Sequence, residues 1–267
     1  MISANDGWAV GGRCLVSSTQ PAPCSHVILR WNGSNWAVWL NESGADKAPF
    51  SAVSVAGSTT GWILEGSTRL LRWTGTQWLP DAQAAAGINS VDAVSSQAAW
   101  AAGPSGLLKW DGASWSSVAQ TQHLNWLAID VDPGGYGAVV GSAGASLAWN
   151  GATWTPITRF IGGDVFSGVD IVSPTEAWAV GASGLFHRVD DRWTHWPLPP
   201  SMDDLATLND VDLVAADEGW AVGSLGTALH WDGQSWSAVG SGLGTSADRG
   251  PEVSALAAFD AGNGAAL

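Results

Sequence analysis

Short runs of alternating apolar and polar residues follow one another along the chain and are separated by turn residues. In one stretch, Ser167–Ser173 (SGVDIVS) alternates, Ala177–Gly181 is more apolar, and Leu185–Val189 follows after a short turn. A second turn at Asp190-Asp191 leads into a last run at Trp193. Runs of this length joined by hairpin turns are typical of a four-stranded antiparallel meander. The pattern therefore predicts an all-β fold.

This unit recurs along the whole chain. Its WAVG-like run begins at Trp8, Trp62, Trp100, Ala138, Trp178 and Trp220. Its closing tryptophans are Trp36, Trp78, Trp115, Trp154, Trp193 and Trp236, spaced by 42, 37, 39, 39 and 43 residues. In the fifth copy the closing segment reads RVDDRW, and we interpret Val189 as the substitute for its first tryptophan, with one residue fewer. Four strands per unit, six units and a period of about forty residues predict a six-bladed β-propeller.

The repeats account for the domain organisation. We predict a single domain over residues 1–267, with repeats at about 1–40, 41–79, 80–118, 119–157, 158–198 and 199–240. The first repeat lacks a leading strand, and Val253–Asp260 (VSALAAFD) matches that missing position. Segment 251–267 is therefore expected to complete the N-terminal blade and close the ring. Because Gly264–Leu267 begins to repeat a second strand, a fragment of a seven- or eight-bladed propeller is the alternative.

The aromatic and turn residues of each unit indicate architecture. In the third copy, Trp100 and Trp110 flank one hairpin and Trp110 and Trp115 flank the next, so each pair is expected to lie opposite on adjacent strands. A row of such tryptophans would face the neighbouring blade. Between the tryptophans, Asp111 and Asp232 are replaced in sister copies by Asn32, Thr74 and Asn150. A turn tolerates this exchange, whereas a catalytic acid does not.

Composition excludes several classes of function. The net charge is −14 with only ten Lys and Arg residues, which argues against a nucleic-acid partner. No apolar run is long enough for a membrane span. The first repeat begins within Met1–Gly11, so we expect no signal peptide in this chain.

The two cysteines lie in the one insertion that breaks the repeat. Cys14 and Cys24 flank a lengthened hairpin loop, and a disulfide closing it is the favoured interpretation. Two free thiols are the alternative. A metal site would need three or four ligands, and only His26 is nearby. The disulfide predicts an oxidising, extracytoplasmic compartment, either secreted or at the cell surface.

One phrase carries a family resemblance. Residues 211–236, VDLVAADEGWAVGSLGTALHWDGQSW, resemble the repeats of photosystem II assembly-factor-type propellers, within the sialidase-like group of bacterial neuraminidase (Asp-box) repeats. The resemblance covers essentially the whole chain and rests on the GWAVG strand and the closing Gly-x-x-Trp. An Asp-box has an aspartate two residues before its glycine. This sequence has tryptophan there, at Trp31, Trp110, Trp149 and Trp231, so the match is to the repeat class.

The resemblance to sialidases does not carry their chemistry over. Sialidases use an arginine triad and a Tyr/Glu pair, but the only tyrosine, Tyr136, lies at a predicted turn, and no copy gains a carboxylate pair within a strand. His123, His187, His195 and His230 have no accompanying nucleophile motif. We therefore predict no enzymatic activity, no cofactor and no metal, and keep a sialidase-like glycoside hydrolase as a distant alternative.

Residues that depart from the repeat are the candidate binding groups. Trp39, Trp126 and Trp196 lie outside the recurring positions, in or beside the predicted inter-blade linkers, where they would share one face with the disulfide loop. On that face they would stack on sugars or anchor a partner protein. The alternative is that they are additional core residues.

A second candidate is a basic ring, formed by the residue before each inner tryptophan: Arg30, Arg72, Lys109, Arg188 and His230, with Ala148 in the fourth copy. Strand alternation places these side chains on the face opposite the inner tryptophans. They would bind anions or acidic segments, or else pair with strand carboxylates such as Asp92, Asp170 and Asp212.

Together these observations predict a monomeric, non-catalytic propeller that acts as a protein-binding or assembly scaffold. A carbohydrate-binding propeller using Trp39, Trp126 and Trp196 is the alternative, so the partner is predicted to be a protein or a glycan.

Overall fold

The computed structural model describes residues 5–14, 23–81, 87–119, 121, 124–157, 164–200, 202 and 207–239. These residues form β-strands, together with two short 3₁₀ turns at Ser142–Gly144 and Ser224–Gly226. The predicted closing segment 251–267, including Val253–Asp260 and Gly264–Leu267, lies outside the described residues. The chain divides into two compact units, Met1–His123 and Leu124–Leu267.

The first unit contains three antiparallel sheets, one with three described strands and two with four. Their strands are β1 (Gly7–Cys14), β2 (Cys24–Trp31) and β3 (Trp36–Gly44); β4 (Phe50–Val55), β5 (Gly61–Glu65), β6 (Arg69–Trp73) and β7 (Trp78–Pro80); and β8 (Ser90–Ser95), β9 (Ala98–Gly103), β10 (Gly106–Trp110) and β11 (Trp115–Ser117). In each sheet every strand pairs with its neighbour in sequence. The first sheet has no leading strand among the described residues, as the sequence predicts.

The second unit contains three four-stranded antiparallel meanders. Their strands are β12 (Trp126–Asp132), β13 (Tyr136–Gly141), β14 (Ser146–Trp149) and β15 (Trp154–Pro156); β16 (Phe166–Ser173), β17 (Glu176–Gly181), β18 (Gly184–Val189) and β19 (Arg192–Trp196); and β20 (Leu208–Ala215), β21 (Glu218–Gly223), β22 (Ala228–Trp231) and β23 (Trp236–Ala238). The predicted all-β class and the meander built from each repeat are confirmed.

The register of the third copy corrects one prediction. Trp110 lies opposite Trp115, as expected, but Trp100 lies opposite Lys109. The hairpin turns in only two residues between Gly103 and Gly106, which are themselves paired. This turn places Trp100 and Trp110 out of register by one residue, so they point to opposite faces of the sheet. This sheet therefore presents tryptophans on both faces, not in a single row.

The fifth copy is also corrected by its register. Arg188 lies opposite Trp193, and Val189 pairs with Arg192 around a turn in which Asp190 has a φ of 58°. The spacing from Arg188 to Trp193 equals that between the paired tryptophans of the other copies, so no residue is missing. Arg188, not Val189, takes the place of the first tryptophan.

The core of each unit lies between adjacent sheets. Between the first two sheets, Trp8 and Ile28 pack with Phe50, Ile63 and Trp73, all of them buried. Burying a large apolar side chain contributes about 1.5–3 kcal/mol. One meander cannot cover both of its own faces, so these inter-sheet clusters stabilise each unit.

Polar groups on the leading strands connect neighbouring sheets. In the second unit, Asp130 Oδ2 accepts a bond of 2.8 Å from the backbone N–H of Ile171, and Asp170 Oδ2 accepts one of 2.8 Å from Leu213. In the first unit, the Ser54 hydroxyl accepts from the N–H of Ala93 at 2.9 Å. Burial raises the pKa of Asp170 well above its ordinary value, and the nearby carboxyls of Asp130 and Asp212 add to this.

Candidate functional site

The Asp-Gly segments are turns. The side-chain oxygen of the first turn residue accepts backbone N–H bonds from the residues two and three positions ahead, at 2.8–3.0 Å, in Asn32, Asp111, Asn150 and Asp232. The Thr74 hydroxyl accepts one such bond, from Gln77 at 3.2 Å. Bonds from Ser235 and Gln234 lower the pKa of the exposed Asp232. The prediction that these segments are turns is confirmed.

The disulfide is also confirmed. Cys14 and Cys24 face each other at the loop end of the β1–β2 hairpin and are bonded. The neighbouring His26 stacks on Phe50 at 4.1 Å and faces the carboxylates of Glu42 and Glu65, each at 3.4 Å. In the part of the chain that the structure describes, no group of three or more His, Cys, Asp and Glu residues is arranged to hold a metal ion.

Most members of the predicted basic ring lie beside tryptophans. Arg30, Lys109 and His230 lie opposite Trp8, Trp100 and Trp220 on the neighbouring strand. Their charged or imidazole groups lie 4.9, 5.1 and 4.6 Å from the respective ring centroids. Arg72 lies opposite Trp62 in register, but its guanidinium lies 5.3 Å from the ring of Trp110 in the next sheet.

The fourth and fifth copies test this cross-strand arrangement. In the fourth copy, Ala148 lies opposite Ala138, so the cation and the tryptophan are lost together. In the fifth copy, the ring position belongs to His187, which stacks on Trp178 at 4.3 Å. The ring residue and its cross-strand tryptophan therefore change together in the fourth copy, and for arginine or lysine such a contact contributes about 0.5–1 kcal/mol at exposed sites.

Arg188 is not a member of this ring. It is buried, and it donates to the backbone oxygens of Asp190 at 2.7 Å and Pro174 at 3.3 Å. Burial lowers the pKa of Arg188, and its Nη1 has no hydrogen-bond partner among the described residues. The assignment of Arg188 to an exposed ring was wrong because the fifth copy was aligned one residue out of register.

Carboxylates outside the predicted set pair with three residues at ring positions. Asp6 holds Arg30 through two bonds of 3.1 and 3.2 Å. Glu176 lies 2.9 Å from His187, and Glu218 lies 2.8 Å from His230. The predicted partners Asp92 and Asp170 lie on leading strands, where Asp92 accepts from the Ser54 hydroxyl at 3.0 Å. Asp212 also lies on a leading strand, β20.

The three non-repeat tryptophans have three different environments. Trp126 is 0% exposed and begins a leading strand, the position that Phe50, Phe166 and Leu208 hold in other sheets. It is a core residue, so it offers no ring face to a sugar or a partner. Trp196 is half-buried, whereas Trp39 is 45% exposed. Both belong to outer strands, not to linkers.

Trp39 and Trp196 are equivalent, since each follows its closing tryptophan by three residues. Trp39 belongs to a group that we call the first tryptophan cluster, between the first two sheets, with Trp8, Trp73 and Trp78. Centroids of these rings lie 4.8–5.7 Å apart in the contacting pairs. The Arg30 guanidinium lies 5.6 Å from the ring of Trp39 and 6.0 Å from that of Trp73.

The second tryptophan cluster consists of Trp62, Trp110 and Trp115, between the second and third sheets. Here the residue three positions after the closing tryptophan is Asp81, not a tryptophan. Its Oδ2 accepts hydrogen bonds from the indole N–H groups of both Trp62 and Trp115, each 3.2 Å long. One carboxylate oxygen therefore satisfies two indole donors.

The first cluster lacks this acceptor. The indole nitrogens of Trp8 and Trp78, which are equivalent to Trp62 and Trp115, are buried and have no hydrogen-bond partner in the described part of the chain. In the second unit, the corresponding third cluster contains Trp178, Trp196, Trp231 and Trp236, and the indole nitrogen of Trp236 is likewise unpartnered among the described residues. Sequence reasoning missed Asp81, although a comparison of this position between copies would have revealed it.

Among solved structures, the chain is similar to several β-propellers. It matches YCF48 bound to a D1 peptide with 18% identity and a TM-score of 0.60, over 89% of this chain and 78% of that one. It matches the WD40 repeats of RRP9 with 11% identity and a TM-score of 0.60, over 89% and 83% of the two chains. It matches an ancestral GH74 enzyme with 13% identity and a TM-score of 0.58, over 72% of this chain and 31% of that one.

These similarities confirm the β-propeller fold and agree with the repeat group that the sequence resembles. No protein-family model matches the chain, and no curated protein matches it. The described residues include no helix with the length and apolar character needed to cross a bilayer.

Proposed function

We propose that this chain is a non-catalytic propeller that binds a protein partner and serves as a binding or assembly scaffold. The observation that carries the proposal is Trp39, a tryptophan 45% exposed whose ring lies 5.6 Å from the Arg30 guanidinium. Tryptophan and arginine are the side chains that most often dominate binding energy at protein interfaces. The similar fold of YCF48, solved with a D1 peptide, supports peptide binding by such a scaffold.

The roles of the described carboxylates support a non-catalytic function. Asp111 and Asp232 accept turn N–H groups, Asp81 accepts two indole N–H groups, and Asp130 and Asp170 connect leading strands. A hydrolase instead needs carboxylates placed to act on a substrate. The similarity to a GH74 enzyme is one of fold.

We further propose that the protein is a monomer that acts outside the cytoplasm, either secreted or at the cell surface. The Cys14–Cys24 disulfide supports this compartment, because such bonds persist in oxidising environments. Light scattering of the purified protein tests the monomer. Mass spectrometry of protein from its native host tests whether the bond is formed in the cell.

A carbohydrate-binding function is the second candidate. The exposed ring of Trp39 favours it, because an accessible indole face can stack on a sugar. Trp126 does not contribute to such a surface, so the carbohydrate platform proposed here consists of Trp39, with Trp196 as a second site. Recognition of anions by Arg30, Arg72, Lys109 and His230 is compatible with either candidate.

A paired selection separates these functions. The protein and its Trp39→Ala variant are each used in a peptide-display selection and on a glycan array, with Val189→Ala, an exposed residue of the second unit, as the control. We expect peptides to be enriched on the parent and on the control, and lost on a folded Trp39→Ala variant. Binding of glycans without peptides would support the carbohydrate alternative and contradict the first proposal. Turnover of any bound glycan would contradict a non-catalytic function.

A further inference from the structure

The first and second tryptophan clusters share their framework but differ in one hydrogen-bond acceptor. Trp8 and Trp78 form an edge-on pair with centroids 5.3 Å apart, and Trp62 and Trp115 form the equivalent pair at 5.4 Å. In the second cluster, the Asp81 carboxylate accepts from both rings of the pair. From these equivalent positions, we infer that the N–H groups of Trp8 and Trp78 point toward the position that the Asp81 carboxylate occupies in the second cluster.

These two donors, which have no acceptor among the described residues, are costly to the folded protein. Trp8 is only 4% exposed, and neither indole nitrogen is accessible to bulk water. A buried N–H group without an acceptor costs about 1–3 kcal/mol, so an arriving acceptor recovers that free energy. Buried polar groups left unpaired in a native structure often mark a place for a ligand, an ion or a water molecule.

Two neighbouring groups indicate the chemistry of this acceptor. The Arg30 guanidinium lies 4.9 Å from the Trp8 ring and donates to both carboxylate oxygens of Asp6, so a guanidinium that pairs with carboxylates lies at the edge of the cluster. Trp39 occupies the sequence position of Asp81 and packs edge-on against Trp8 at 5.2 Å. Because its ring is 45% exposed, it can turn outward without uncovering a large core.

We propose that the first tryptophan cluster is a carboxylate-binding site, and that its occupant is an acidic side chain of a peptide segment in the protein partner. The carboxylate accepts from Trp8 and Trp78, as Asp81 does within the chain itself, while Trp39 turns outward and packs against the segment. This inference rests on the proposed protein-binding function and specifies the chemistry of that partner.

The indole N–H resonances of the nineteen tryptophans provide a direct measurement. Acetate and its neutral analogue acetamide are titrated separately into ¹⁵N-labelled protein, followed by acetyl-Ala-Glu-Ala-amide and its Gln counterpart. Trp8→Phe and Trp78→Phe variants assign the two resonances. We expect both to move downfield and to saturate with acetate and with the Glu peptide. The resonances of Trp62 and Trp115 should not move, because Asp81 already accepts from them.

Two variants of Trp39 extend this test. Trp39→Asp places a carboxylate of the chain at the equivalent position, so it is expected to shift both resonances without ligand and to weaken acetate binding at least about tenfold, the effect of one charge-assisted hydrogen bond. Trp39→Asn is the matched neutral control. Retention of the other indole signals shows that each variant is folded, so that a loss of binding is not a loss of fold.

The possible outcomes are distinguishable. Saturable shifts of both resonances with acetate and with the Glu peptide would support the site and its occupant. Unmoved Trp8 and Trp78 resonances would overturn the site, even if display selections still identify peptides that bind elsewhere. Shifts with acetate but not with the Glu peptide would overturn the peptide as occupant, and would count against the protein-binding function if the display selection also fails.

Discussion

The first and second tryptophan clusters pack equivalent tryptophans between adjacent sheets but differ in how the indole N–H groups are bonded. In the first cluster, Trp8 of the first sheet packs against Trp73 and Trp78 of the second. In the second cluster, Trp62 of the second sheet packs in the same way against Trp110 and Trp115 of the third. In the second cluster Asp81 accepts from two indole donors, whereas in the first an exposed Trp39 takes the same sequence position and two donors have no acceptor in the described ranges. A repeat framework therefore tolerates a change from a satisfied core to a surface with unused donors at a single position.

The largest effect is expected from breaking the satisfied cluster. Asp81→Ala would leave the indole donors of Trp62 and Trp115 without their acceptor, and we expect the free energy of unfolding to fall by about 2–4 kcal/mol. Urea unfolding, followed by tryptophan fluorescence, measures this loss. Asp111→Asn is the control, since asparagine already serves at equivalent turns, and it should leave stability nearly unchanged. A variant at Asp81 as stable as this control would contradict the role given to that carboxylate.

The same substitution at equivalent tryptophans sharpens the comparison. Trp62→Phe and Trp8→Phe each remove an indole N–H from a buried ring, but only Trp62 donates to a carboxylate. Both variants lose packing. We expect Trp62→Phe to cost about 1.5–3 kcal/mol more, the net contribution of a hydrogen bond to a charged group.

Urea unfolding of the two variants under identical conditions gives this difference. Equal losses in the free energy of unfolding would mean that the bond to Asp81 contributes nothing measurable to stability. The two clusters would then differ in their hydrogen bonding but not in its energetic effect.

The framework of these clusters was predictable from sequence, because it depends on local and repeated signals. The spacing of the closing tryptophans predicted six units, and Trp110 facing Trp115 followed from the turn between them. The position of Trp100 was not predicted, because a two-residue turn shifts the whole register by one. In the fifth copy Arg188 occupies a tryptophan position, a substitution that only the observed pairing with Trp193 reveals.

The site residues were less predictable, since their roles depend on contacts between sheets. Trp126 departs from the repeat in sequence, yet it fills the leading-strand core position that Phe166 fills in the next sheet. Asp81 lies just beyond the repeat motif, and its two indole partners belong to different sheets. Sequence identifies an unusual residue, whereas the packing decides whether it is a buried core residue, a partly exposed residue over a cluster, or a hydrogen-bond acceptor.

Asp170 lies near other carboxylates, whereas Asp81 lies between two hydrogen-bond donors. The pKa of Asp170 is raised by burial and by the nearby carboxyls of Asp130 and Asp212, so the folded state holds its proton more tightly than the unfolded state does. This group's contribution to stability is therefore complete below its unfolded pKa and declines as pH rises toward the folded value. Asp170→Asn keeps an acceptor for the Leu213 N–H and removes the charge.

We expect Asp170→Asn to be more stable than the parent at neutral pH and to lose that advantage in acid. Chemical unfolding of both proteins from neutral to acidic pH measures the difference in their free energies of unfolding. Groups that titrate equally in the two proteins do not contribute to this difference. A difference that stays constant with pH, or grows as the pH falls, would contradict the direction of the Asp170 pKa.

The smallest effect is expected at the exposed turns, where a carboxylate accepts only backbone N–H groups. Bonds from Ser235 and Gln234 lower the pKa of Asp232, so its contribution to stability is present above the unfolded pKa and is lost as pH falls through the folded value. Asp232→Asn should match the parent at neutral pH and remove this acid-dependent loss, because Asn32 and Asn150 make the same bonds. Asp232→Ala should lower the melting temperature slightly. If Asn and Ala were equally destabilising, the turn would need the charge itself, and the case that these aspartates are only architectural would fail.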